Sequence, residues 1–136
     1  MLFALCIGAI PARADVFDDA CAFFQARAES GTGNTVFRRH LSGQCQLALA
    51  EYRAAPPGTE TSRMAEDVLF AMHDFREVLE EIPMARLAQR YPRDMLHEIP
   101  KLLHRPVSAS GEILIARAVG VTPRLNAWES WLTSQR

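Results

Sequence analysis

From Phe17 onward the chain places apolar side chains at helical intervals. Phe17, Cys21, Phe24 and Ala28 fall four, three and four residues apart, with Asp18, Asp19 and Gln25 on other sides. This spacing predicts a helix over residues 16 to 29. The early aspartates suit its N-terminus, where they face the positive end of the dipole. Ser30-Gly31-Thr32-Gly33-Asn34 reads as a turn. The pattern resumes over residues 35 to 55 with Phe37, Leu41, Cys45, Ala48 and Tyr52, at steps of four, four, three and four. Ala-Ala-Pro-Pro-Gly-Thr at 54 to 59 then breaks the chain.

A third helix has the most regular stripe: Met64, Val68, Ala71, Phe75, Val78 and Ile82, widened by Met72 and Leu79. Glu66, Asp67, Arg76, Glu77, Glu80 and Glu81 take the other faces, and Thr61 or Ser62 is placed to cap the start. Such a stripe is the core face of a bundle, with Phe75 at its centre.

From residue 83 the texture changes. Pro83, Pro92, Pro100 and Pro106 recur every six to nine residues. Proline removes a backbone donor and clashes with the preceding turn, so no long helix runs through this stretch. Short helices are expected over Met84 to Tyr91 and Arg93 to Leu103. Ser108-Ala109-Ser110-Gly111 then leads into an apolar helix from Glu112 to Val119, ended by Gly120. Thr122 is placed to cap the last helix, with Pro123 at its first position, where a missing N–H costs nothing. That helix carries Leu125, Trp128, Trp131 and Leu132. No alternating Val/Ile/Thr run and no hairpin dipeptide suggests a strand. The expected class is all-α: a small helical bundle with an N-terminal antiparallel helical hairpin and a proline-segmented C-terminal half.

Ahead of the first helix stands MLFALCIGAIPARA. The apolar run from Leu2 to Ile10, the breaker Pro11 and the small-residue pattern Ala12-Arg13-Ala14 form the signature of a signal peptide. No basic residue precedes the run. Cleavage after Ala14 would leave one helical domain, residues 15 to 136, in the periplasm or outside the cell. The apolar run is about half the ~20 residues that span a bilayer, so no stable membrane insertion is expected.

Export changes how the cysteines read. The chain has 3, and Cys6 would leave with the leader. Cys21 and Cys45 would remain, and an even pair in an oxidising compartment reads as a disulfide. Each lies twelve residues from Gly33 at the turn, so an antiparallel hairpin brings them level. Both fall on apolar stripes. Ala20, Ala22, Ser42 and Gly43 are small enough to let the helices approach. There is no Cys-x-x-Cys.

Charge excludes one class of partner. The net charge is -1, and removing Arg13 makes it more negative. There is no basic excess to hold nucleic acid or an anionic membrane.

Candidate chemistry is sparse. His73-Asp74-Phe75 on the third helix resembles the core of secreted calcium-dependent phospholipases. The likeness covers these three residues, with Met72 where that family has a cysteine or arginine and no glycine-rich loop before Val68. It implies that His73 activates a water and Asp74 helps hold calcium. Adjacent helix residues point about 100° apart, so the two do not pair with each other. Asp94 and His97 share a helical face, and His104 lies seven residues further on. These three are the nearest approach to a metal or haem site, although Pro100 intervenes. His40 follows Arg38-Arg39 and reads as a solvated face, as does Glu80-Glu81. The corner from Ile115 to Thr122 resembles the turn of a helix-turn-helix, with Ala116 four residues before Gly120. The positions that should dock a second helix are polar, Asn126 and Glu129. No phosphate loop, nucleophile elbow or zinc-protease motif occurs.

The chain therefore reads as an exported, non-enzymatic binding or accessory protein, with a protein partner in the cell envelope and no cofactor. The alternatives are a small lipase-like hydrolase using His73 and Asp74, or a metal- or haem-binding bundle using His97 and His104. Cys21 and Cys45 are the only residues given a defined role.

Overall fold

A computed structural model describes residues 11–30, 35–80 and 109–135. Every regular element among them is an α-helix: α1 (Pro11–Glu29), α2 (Thr35–Ala54), α3 (Glu60–Leu79), α4 (Ala109–Ala118) and α5 (Val121–Ser134). The all-α expectation holds. The leader residues 1 to 10, the turn at 31 to 34 and the proline-rich segment 81 to 108 lie outside the described residues, and with them Cys6, Asp94, His97 and His104.

Helix α3 is the hub. It packs against each of the other four helices, while α1 packs on α2 and α4 on α5. Its stripe is buried as expected at Val68, Ala71, Met72, Phe75 and Val78. Phe24 stacks on Phe75 with centroids 5.2 Å apart, and Phe17 meets Phe70 edge-on at 5.0 Å. Trp128, Leu125 and Val121 from α5, Ile115 and Ala116 from α4, and Val119 just past its end complete one continuous core. Burying such side chains contributes about 1.5–3 kcal/mol each, the dominant favourable term.

Along the α1–α2 seam, Phe17 meets Tyr52, Cys21 is bonded to Cys45, and Gln25 reaches Gln46. The cysteine Cα atoms are 5.5 Å apart, within the range a disulfide needs. Ala20 and Ser42 are buried beside this approach; Ala22 and Gly43 are not, and a side chain at Gly43 would meet open space. The seam is closed at one side by the ion pair between Arg53 and Asp18.

Four expectations need correction. The first helix was expected over residues 16 to 29, but α1 begins at Pro11, a residue well tolerated in a first helical turn. The aspartates at 18 and 19 are therefore interior to α1. The cap of α3 is Thr59, not Thr61 or Ser62. Its hydroxyl accepts from the Ser62 N–H at 3.2 Å and donates to the Pro56 carbonyl at 2.8 Å. Gly58, at φ 85°, makes the turn that places it. Helix α4 starts at Ala109, so the Ser-Gly approach is helical. Ser and Gly cost a helix no more than about 1 kcal/mol each, which tertiary docking offsets. Finally, Thr122 does not cap α5. The N-cap is Gly120 in the left-handed conformation, with no side-chain cap, and the Arg124 guanidinium donates to its carbonyl at 3.1 Å.

Candidate functional site

Two charged clusters stand out against this core. The first lies on the α1–α3 surface. Val16 and Asp19 from α1 and His73, Arg76, Glu77 and Glu80 from α3 line a cleft of about 240 Å³. Helical spacing puts His73 and Glu77 one turn apart, with Nε2 of the first 3.0 Å from Oε1 of the second. Arg76 reaches Glu80 at 2.6 Å. Glu77, expected off the apolar stripe, is nonetheless buried, on the side of α3 that faces Val16 and Asp19 of α1 across the cleft.

Asp74 does not join His73. It is 2% exposed and turned into the protein, as the 100° step between neighbours requires. The pair that the phospholipase resemblance implies is thus split between cleft and interior. Glu80 is engaged with Arg76, and Glu81 lies outside the described residues. His40 is half exposed, with Nε2 2.8 Å from Glu129 Oε1 but not aligned as a hydrogen bond. Among the described residues no three His, Cys, Asp or Glu side chains stand close enough to hold a metal ion. No described helix is long and apolar enough to cross a membrane.

The second cluster was not anticipated. Glu112 of α4 is 0% exposed, and its Oε2 accepts from Arg27 of α1 at 2.6 Å and from Arg38 of α2 at 3.0 Å. Its Oε1 is buried without a hydrogen-bond partner. Arg27 also lies over one face of Phe23, 5.5 Å from the ring centroid, with Arg76 over the same ring at 5.3 Å. Each such contact is worth about 0.5–1 kcal/mol at a partly exposed site. One signal could have revealed Glu112. It stands three, four and seven residues before Ile115, Ala116 and Val119, so the face it shares is the buried one. A carboxylate there requires a cation.

The corner between α4 and α5 matches the expected bend, with Gly120 at φ 85°. Asn126 is exposed, and Glu129 lines a polar hollow with Asn126, Ser130, Thr133 and Ser134. Among the described residues, no basic side chain lines that hollow.

No protein-family model, curated protein or solved structure matches this chain.

Proposed function

We propose that this chain is an exported, non-enzymatic binding or accessory protein that meets a protein partner in the periplasm or outside the cell. In this reading residues 1–14 are a removed signal peptide and residues 15–136 one helical domain, built on a disulfide-linked antiparallel hairpin with a proline-segmented C-terminal half. The Cys21–Cys45 bond carries the reading. A disulfide sealed inside a helical core, at 1% and 0% exposure, belongs with an oxidising compartment. The start of α1 supports it as well. Among residues 16–29 of that helix, whose burial is described, the stripe that meets the core starts at Phe17, and cleavage after Ala14 would leave that stripe whole. Asp15 then stands where an N-cap is wanted, with Asp18 and Asp19 in the new first turn.

The chain expressed with its leader in a secreting host tests this. Mass spectrometry of periplasmic material should find Asp15 as the N-terminus and no free thiol after denaturation without reductant. An intact Met1 in cytoplasmic protein of the native host overturns it. Pull-down from periplasmic extract then identifies the partner. A hydrolase using His73 and Asp74 has less support, because Asp74 faces the interior, away from the cleft that His73 lines.

A further inference from the structure

Helix α4 poses a problem that its apolar residues do not solve. The face it buries is Glu112, Ile115 and Ala116, continued by Val119 just past its end. A rotation of about 100°, one residue's worth, would present Gly111, Leu114, Ile115 and Ala118 instead. That second face is entirely apolar. It would bury Leu114, which is 44% exposed in the observed packing, and it would take the carboxylate away from the interior. By hydrophobicity alone the rotated docking is the better one. The chain adopts the other.

Glu112 is what distinguishes them. In the observed docking one carboxylate oxygen receives Arg27 at 2.6 Å and Arg38 at 3.0 Å, from two different helices. The arrangement is poorly suited to adding stability. The carboxylate is fully desolvated, its second oxygen has no hydrogen-bond partner, and the desolvation of buried ions offsets much of their attraction. A charge held at that cost does select geometry. Elsewhere the α4–α5 pair reaches α1 and α2 mainly through long side chains, such as His40 with Glu129, because close backbone packing runs through α3. We infer that Glu112, held by Arg27 and Arg38, is a positioning residue that fixes the rotation of α4 against the disulfide-linked pair and excludes the docking that buries Leu114. This does not depend on the proposed function.

The two tryptophans, Trp128 and Trp131, report on the arrangement, since both lie on α5, which packs directly on α4. One docking gives two indole N–H signals in a proton–nitrogen NMR spectrum. The full chain should show two. Glu112→Gln keeps the shape and removes the charge, and it should add a second pair of indole signals at unchanged helix content. Leu114→Asp penalises burial of the competing face, so the double variant E112Q/L114D should return to two. A spectrum of E112Q with two indole signals at their original positions overturns the inference. If E112Q loses its helical circular dichroism, the double variant decides. Recovery of helix with two indole signals supports the role, and failure to recover overturns it.

Discussion

The α1–α2 pair and the α4–α5 pair both pack on α3, yet they are held by different chemistry. The first is joined by a covalent bond inside an apolar seam, with Phe17, Phe24, Leu41 and Ala48 around it. The second rests on Trp128, Ile115 and Val119 and is tied to the first by a buried carboxylate between two arginines. A disulfide acts largely by restricting the unfolded chain. It needs two positions that come level and face each other closely. The ionic contact acts wholly in the folded state, and it depends on the orientation of one short helix. The α1–α2 seam is therefore fixed by a covalent bond as well as by packing, whereas the α4 docking is specified by a single residue.

The comparison is tested hardest at α3, which serves both regions. Phe75 is 0% exposed and stacked on Phe24. Phe75→Ala should cost about 3–5 kcal/mol, the usual loss for a truncated core aromatic. Since a small domain has only about 5–15 kcal/mol in all, urea melts should show both regions lost together. A cost below about 1 kcal/mol would mean that α3 is not the hub.

Glu112→Ala should come next, at about 3–5 kcal/mol, because it leaves two guanidinium groups facing a vacated interior site. The informative contrast is the triple variant R27M/R38M/E112M. Replacing a buried triad by apolar side chains is often neutral or stabilising by about 1–4 kcal/mol. A triple variant as unstable as E112A would show that the ions supply net stability.

Removing the disulfide with Cys21→Ala and Cys45→Ala should cost about 3–4 kcal/mol by the chain-entropy relation for a loop of this size; the sequence separation is 24. The loss should appear with little change in the Trp128 and Trp131 environment. A large change there would mean the two regions are fastened together more tightly than the contacts indicate.

These three sites differ in how far the sequence announces them. The stripe through Phe75 and the level placement of Cys21 and Cys45 follow from periodicity and arithmetic, because apolar burial and disulfide reach are both local rules. Glu112 was invisible for a physical reason. Its partners lie 85 and 74 residues away, and nothing in the spacing of Arg27 or Arg38 marks them as inward-facing. Glu77 was misread similarly, since the width of a buried stripe depends on how closely the neighbouring helix approaches. The pairing of His73 with Glu77 follows from their i,i+4 spacing, but the cleft beside them needed α1 in place.

The smallest effects lie at the helix starts, and there the two regions differ once more. Thr59 caps α3 through its hydroxyl, so Thr59→Ala should cost about 1 kcal/mol, as loss of an N-cap does. Thr122 stands at the corresponding end of α5, but the structure gives the cap position to Gly120. Thr122→Ala should therefore change stability by no more than about 0.5 kcal/mol, as a surface substitution does. Gly120→Ala should cost about 1–2 kcal/mol, because a Cβ is strained at its φ of 85°. Urea midpoints for the three variants decide the matter. If Thr122→Ala matched Thr59→Ala, the α4–α5 corner would be held by a side-chain cap, and its geometry would be set locally rather than by the docking of α4.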